Sequence, residues 1–347
     1  MTHQVRAGAA RATTRRWIRA LALVTVGALA VSLTACGSSD SSDSGGSAEE
    51  VKIGLVTKTE TNPFFVKMRE AAKAEADAKG AELIALAGKF DGDNEGQVAA
   101  IENLISQGVK GILITPNNST GILGAIKKAR DRGIVVIALD TATDPEDAVD
   151  ATFATDNKEA GRLQGAWAKA AHGTAPAKIA MLDGTAGGTV DTFRHDGFLA
   201  GFGVAEKDPS VVGMENTNGD QAKAQTAMEN LLQRNGEINV VYTINEPAAR
   251  GAYEAVAAKG LEKAIVIGSI DGSCAGVADV KAGKVGATVM QFPQRMAAQG
   301  VDAVVEFAAS GKKPSGFHDT GAQLITDHPQ QDLDAKDTAW GAGNCWG

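Results

Sequence analysis

Little in this chain points to catalysis or to nucleic acid. Aromatic residues make up only 5% of the 347 residues, and there are five histidines and three cysteines. The histidines are scattered, with no spacing that would hold a metal. G-x-G-x-x-G, G-x-x-x-x-G-K-[ST] and G-x-S-x-G are all absent, which leaves dinucleotide, nucleotide-phosphate and serine-hydrolase chemistry without sequence support. Asp91 to Glu102, DGDNEGQVAAIE, approaches a calcium loop, but its fifth position is Glu95 and a strand rather than a helix precedes it. A loop feeding a capped helix near Glu95 is the better reading, so neither metal nor cofactor is expected.

What is present begins with an address. Arg6, Arg11, Arg15, Arg16 and Arg19 form a basic stretch without an acid, and Ala20 to Val31 is an apolar run short for a bilayer. Leu33-Thr34-Ala35-Cys36 follows and resembles a bacterial lipobox, with Cys36 the residue that would be lipidated after cleavage. Residues 1–36 are therefore read as a lipoprotein signal peptide and residues 37–50, which include GSSDSSDSGGS, as a flexible tether. Without the signal, 29 basic residues face 42 acidic ones, a net charge of −13. That charge does not suit nucleic acid, and no later apolar run is long enough to span a membrane. The expectation is an extracytoplasmic domain, lipid-anchored on the outer face of the bacterial cell membrane. Cys274 and Cys345 remain after Cys36. In an oxidising compartment they read as a disulfide tying the C-terminal tail to the body, or else as two buried thiols.

From Val51 onward, apolar runs alternate with helical patterns. The runs are Glu82–Leu86, Gly111–Ile114, Ile134–Leu139, Lys178–Leu182, Val240–Ile244, Ile265–Ile270 and Gly286–Met290. The helical patterns include 95–106, 121–132, 158–171, 221–233 and 248–259. Regular alternation implies an α/β fold of parallel sheets covered by helices on both faces, and this length implies two domains.

The chain's organising stretch is VKIGLVTKTETNPFF at 51–65. A buried strand ends in a polar loop, Asn62 is placed to cap a helix that Pro63 begins, and Phe64 and Phe65 follow at once. Open α/β sheets bind ligands at such carboxyl ends. Phe65 fits the buried stripe of Met68, Ala72 and Ala76, whereas Phe64 lies off it. Other strands deliver Asp140, Asn245 with Glu246, Asp271 and Gln291 in the same way. Each alone reads as a cap or turn former; together they read as one polar site. Arg194 falls on the buried stripe of Val190, Gly197, Phe198 and Gly201, where a guanidinium needs acceptors from a structural carboxylate or from a ligand.

These positions carry a resemblance. TNPFF at 61–65, ALDT at 138–141, FATDN at 153–157, FRHDGF at 193–198, TINEPAARGA at 243–252, GSIDG at 268–272 and MQFP at 290–293 together resemble the type I periplasmic sugar-binding proteins of ABC transporters, in the ribose and fructose group. TINEPAARGAYEA, SIDGSCAGV and the ending NCWG resemble fructose-type members, which also supports pairing Cys274 with Cys345. The resemblance implies two doubly wound lobes joined by a three-crossing hinge, with residues 51–154 plus 292–318 in one and 155–291 plus 319–347 in the other. It implies sugar contacts at Asn62, Phe64, Phe65, Asp140, Arg194, Asn245, Asp271 and Gln291. Thr141 stands where ribose-type members have an arginine, and the polar loop Thr217 to Asp220 stands where they offer an aromatic. Both departures turn the expectation from ribose toward another monosaccharide, fructose first.

The expected role is a monomeric, non-enzymatic binding protein that hands a monosaccharide to an ABC permease. A surface receptor that signals rather than imports is the alternative. A ligand-responsive transcription regulator would need a DNA-binding segment before Val51, where an export signal stands instead. An enzyme would need a nucleophile, a metal cluster or an acid/base pair, and only Asp140 with Asp271 resembles one.

Overall fold

Lys52–Thr57 (β1) is buried from its second residue onward and runs between two parallel neighbours, Glu82–Ala87 (β2) and Gly111–Ile114 (β3). The computed structural model to which they belong describes residues 50–347. The signal peptide, the tether up to Glu49 and the lipidation site Cys36 lie outside the described residues. Val135–Leu139 (β4), Ala151–Ala154 (β5) and Gly316–Asp319 (β11) extend this first sheet in the order β11-β5-β4-β3-β1-β2, all parallel.

Helices cover it on both faces, as its doubly apolar strands require. On one side lie Pro63–Ala78 (α1) and Pro293–Ser310 (α9), with Phe65, Met68, Met296 and Val301 in the core. On the other lie Asn94–Ser106 (α2) and Leu123–Asp131 (α3), with Ile101, Leu104 and Ile126. The start of α1 follows from its sequence. Asn62 accepts a hydrogen bond from the Phe64 N–H at 3.0 Å, and Pro63 fills a position whose N–H has no helical partner.

The second sheet contains Ile179–Asp183 (β6), Val211–Asn216 (β7), Val240–Thr243 (β8), Val266–Asp271 (β9), Ala287–Met290 (β10), Gln323–Ile325 (β12) and Ala335–Lys336 (β13). Its order is β13-β12-β10-β9-β8-β6-β7. Its helices are Asn157–His172 (α4), Thr189–Phe202 (α5), Gln221–Arg234 (α6), Glu246–Ala257 (α7), Cys274–Lys281 (α8) and Thr338–Asn344 (α10). One pairing departs from the parallel expectation: β12 runs antiparallel to β10. The chain leaves β11 at the hinge and enters the second sheet from the carboxyl ends of its neighbours, so it can only run the opposite way.

Three connections join the sheets: β5 to α4, β10 to α9, and β11 to β12. Helices α4 and α5 pack backbone to backbone. A Cβ on Gly161 would lie 2.2 Å from the Arg194 carbonyl oxygen, and one on Gly197 would lie 2.2 Å from that of Lys158. This close approach brings Asn157 of α4 within reach of the Arg194 side chain. Cys274 and Cys345 form a disulfide, with Cα atoms 4.9 Å apart, so the tail is tied to the start of α8. No helix among the described residues is long and apolar enough to cross a membrane.

Candidate functional site

The carboxyl ends of both sheets open on one cavity, with about 450 Å³ of space between its atoms, part of it open to solvent. Asn62, Phe64, Phe65, Asp140, Arg194, Asn245, Asp271 and Gln291 all line it. Thr141 does not. It is fully buried and its hydroxyl donates to Asp140 Oδ2 at 2.8 Å, so it orients a lining residue.

The aromatic pair forms the apolar wall. Phe64 and Phe65 meet edge to face with centroids 5.4 Å apart, and Phe64 meets Trp346 likewise at 5.6 Å. Phe64, off the stripe of α1, is thus held by the C-terminal tail. Trp346 also donates its indole N–H to the carbonyls of Asp271 at 3.1 Å and Gln291 at 2.9 Å. Its backbone carbonyl accepts from the N–H of Cys274 at 2.8 Å. The penultimate residue of the chain therefore braces three residues of the cavity wall.

Polar groups complete the site. Arg194, buried at the centre, donates from Nε to Asn157 Oδ1 at 2.7 Å and from Nη1 to the Ile244 carbonyl at 2.9 Å. Its Nη2 lies 4.0 Å from Asp140 Oδ1 and has no hydrogen-bond partner. Two nitrogens of this arginine thus bond to an amide and a backbone carbonyl rather than to the carboxylate expected of a structural ion pair, and the third has no hydrogen-bond partner. Gln291 donates to Asp271 Oδ1 at 2.9 Å, while its own Oε1 lacks a partner. Buried donors and acceptors without protein partners are costly, so these two atoms are suited to exchange hydrogen bonds with a ligand.

Backbone strain concentrates here too. Four non-glycine residues among those described have positive φ, and three of them, Asp140 (61°), Asn218 (54°) and Asp271 (152°), line the cavity. Such conformations persist only where the surroundings over-determine them, and they gather at ligand clamps.

Behind Asp271 lies Glu246, wholly enclosed at the first turn of α7. It accepts from the Gly272 N–H at 2.9 Å, from Thr288 Oγ1 at 3.0 Å and from Ser273 Oγ. Burial first, and the Asp271 charge second, push its carboxyl well above the usual range. Burial likewise raises Asp271, against the pull of Arg194. On the far wall, the hydrogen bond to Asp183 at 2.8 Å raises the His195 imidazole, and burial raises Asp191.

The lobes touch across the cavity mouth. The Thr185 hydroxyl donates to the Asp91 carboxylate, and Asn218 Nδ2 donates to the Asp91 carbonyl at 3.0 Å. The Ser119 N–H donates to the Gly187 carbonyl at 2.9 Å, and Thr189 Oγ1 donates to the Ala142 carbonyl at 2.8 Å. Asp91, weighed above as the first residue of a calcium loop, is thus part of an inter-lobe contact. Asp93 of the same loop caps α2 through the Gly96 N–H at 2.9 Å. Sequence reasoning missed Lys58, Asp91, Thr185 and Asp191 as lining residues, and Trp346 as a brace, whereas Asn218 lies in the polar loop Thr217 to Asp220 already singled out. A lysine immediately after β1 was the one available signal for Lys58. Trp346 left none beyond lying next to Cys345.

Comparison with known proteins agrees with the fold of two parallel-sheet lobes. The model of the periplasmic binding protein domain matches residues 53–313. The ribose import binding protein of Bacillus subtilis is 32% identical over 271 residues, which is 77% of this chain and 85% of that protein. The galactofuranose-binding protein of Escherichia coli is 30% identical over 275 residues, covering 76% and 85%. Among solved structures, a periplasmic solute-binding protein of an ABC transporter from Actinobacillus succinogenes, with bound D-allose, superposes with a TM-score of 0.72 at 27% identity, covering 80% and 98%.

Proposed function

The chain belongs to the periplasmic binding protein family, and from that membership we propose that it captures a monosaccharide between its lobes and delivers it to an ABC importer. These relatives are solute-binding proteins of transport, not enzymes. One observation carries the reading for this chain. Phe64 and Phe65 line the same cavity as the buried polar groups of Asp140, Arg194, Asp271 and Gln291, with Arg194 Nη2 and Gln291 Oε1 still unpartnered. Aromatic faces cover the C–H surface of a sugar ring, while carboxylates, amides and guanidinium exchange hydrogen bonds with its hydroxyls.

Contacts come from both lobes, so the sugar binds the closed form better than the open one. That differential affinity is what would drive closure. The sugar-contacting set is Asn62, Phe64, Phe65, Asp140, Arg194, Asn245, Asp271 and Gln291, with Thr141 acting through Asp140. D-Fructose is the favoured ligand. Its support is the sequence resemblance of TINEPAARGAYEA, SIDGSCAGV and NCWG to fructose-type members, together with the loss of a donor at Thr141. Delivery would take place from a lipid anchor on Cys36, with the lobes facing away from the cytoplasm.

Thermal unfolding against fructose, ribose, xylose, glucose, galactose and inositol tests the reading. A ligand bound only by the folded state adds about 2.7 kcal/mol at a hundredfold excess over its Kd. One sugar should raise the midpoint, and Asp140→Ala and Asp271→Ala should abolish that rise while still folding. No rise with any sugar would leave the fold and remove the function.

A further inference from the structure

We propose that the Cys274–Cys345 disulfide is a redox-sensitive positioning device for this site: its reduction frees Trp346 from the cavity wall and weakens ligand binding while both lobes stay folded. The inference rests on the sugar-binding reading above and adds a means of regulating it. The bond joins the residue just before Trp346 to the first residue of α8, and Ser273, next to Cys274, is bridged to Trp346. Trp346 is 3% exposed and sits in an apolar core of the first lobe, with Phe64 and Phe65. Its polar groups face the other way. They bond to Asp271, Gln291 and Cys274, at the ends of β9 and β10 and the start of α8. One side chain therefore spans both halves of the wall, and the disulfide lies one residue from it.

Little else holds the tail. Helix α10 has seven residues, of which only Thr338 and Gly341 are buried. A helix that short has no stability of its own, and a chain terminus frays unless it is tied down. Asp327 anchors the start of α10, accepting from the Thr338 N–H at 2.9 Å and its hydroxyl at 2.8 Å. Beyond that anchor, the disulfide keeps Cys345, and so Trp346, beside α8. Both cysteines are partly exposed, and Ala342, Gly343 and Asn344 next to Cys345 are exposed, so a thiol can approach. The thiolate of a small dithiol attacks one sulfur, the Cys274–Cys345 bond breaks and a mixed disulfide forms. The second thiol then displaces the cysteine and closes the dithiol's own disulfide. The dithiol gives up two electrons and two protons, and the protein gains them as two thiols. The larger apolar cores of the lobes contain neither cysteine, so they do not depend on the bond.

Calorimetry of the purified protein with whichever sugar of the panel binds tests this, before dithiothreitol, after it and after re-oxidation. Reduction should raise Kd about tenfold, the scale of one buried acceptor losing its donor, and re-oxidation should restore it. The reduced protein should still unfold in one cooperative transition. Cys345→Ser should bind as reduced wild type does and ignore the dithiol. In Trp346→Phe, which has already lost the indole bonds, reduction should change Kd less than in wild type. A disulfide that merely stabilised the fold would lower the unfolding midpoint and leave Kd unchanged, and that result would overturn the assignment. So would loss of the cooperative transition, or a Trp346→Phe variant as sensitive to reduction as wild type. Acrylamide quenching of tryptophan fluorescence reads the indole without any ligand. Reduction should open Trp346 to quenching, measured as the difference between wild type and Trp346→Phe. If oxidised wild type binds no sugar of the panel, the sugar reading falls. Unchanged quenching would then overturn the positioning role as well, and increased quenching would uphold it.

Discussion

Replacing Trp346 with Phe removes one N–H and keeps most of an aromatic face. That N–H serves two carbonyls, Gln291 at 2.9 Å and Asp271 at 3.1 Å. The Asp271 carbonyl keeps a second donor, the Gln291 N–H at 2.9 Å, so its loss is small. The Gln291 carbonyl loses the indole in a place closed to water. One buried acceptor left without its donor costs about 1–3 kcal/mol. The edge contact with Phe64, now 5.6 Å between centroids, is worth about 0.5–1.5 kcal/mol and survives in part with a smaller ring. We therefore expect about 2 kcal/mol less stability in urea unfolding. Ligand affinity should also fall, because the loosened carbonyls belong to two lining residues and Phe64 is a third. A tenfold rise in Kd corresponds to about 1.4 kcal/mol of that loss. Urea unfolding followed by circular dichroism gives the first number and calorimetry with the bound sugar the second. Stability within about 0.5 kcal/mol of wild type with an unchanged Kd would refute the brace, since a tail resting on the surface costs no more than that.

Glu246→Gln tests the buried carboxyl. Glu246 is pushed up to about 8 from the ordinary 4.5, by burial first, so the folded protein holds this proton more tightly than the unfolded chain. Its stabilising contribution is complete below about 4.5 and is lost as the pH climbs through about 8. Wild type should therefore lose stability relative to Glu246→Gln across that window, and parallel unfolding curves at pH 5, 7 and 8.5 would contradict the assignment. In Gly276→Ala the new Cβ would stand 1.7 Å from Glu246 Oε1, so the variant should lose about 1–3 kcal/mol or more; wild-type stability in urea would count against the packing described. Arg194→Ala leaves Asp140 and Asn157 facing an empty centre and should weaken ligand binding at least about 100-fold, from 3 kcal/mol or more. A Kd within threefold of wild type would place the ligand elsewhere. Thr185→Val removes a donor across the mouth and should raise Kd about fivefold, from roughly 1 kcal/mol, mainly through faster dissociation. An unchanged dissociation rate by stopped flow would mean that this contact does not hold the lobes together.

The elements that position the site were readable because local signals agreed. Asn62, Pro63 and the apolar run before them specify a strand, a cap and a helix start within fifteen residues, and the structure has β1, the Asn62 cap and α1 there. Asp140, Asn245, Asp271 and Gln291 were legible because each stands at the carboxyl end of a buried strand: Asp140 and Gln291 next after β4 and β10, Asp271 last in β9, and Asn245 two residues past β8. The strands β5 and β7 were not in the list of apolar runs. ATFA is only four residues long, and VVGMEN is an edge strand with exposed Met214 and Asn216 and no buried residue. The reversal of β12 depends on where the chain re-enters the sheet, which periodicity does not encode.

What escaped altogether were roles created by distance in the chain. Trp346 reaches Asp271 across 75 positions and Gln291 across 55. Glu246 looked like a loop residue, since its partners Gly272, Ser273 and Thr288 belong to other elements.

The central claim is that one monosaccharide is held between the lobes, and titration calorimetry of the purified protein with D-fructose, D-ribose, D-allose and D-galactose tests it most directly. The account predicts saturable binding of one sugar at one site per chain, D-fructose first. That binding should disappear in Asp140→Ala and Asp271→Ala variants that retain their cooperative unfolding. Heat-silent titrations with every sugar, or a sugar bound equally well by both variants, would contradict it.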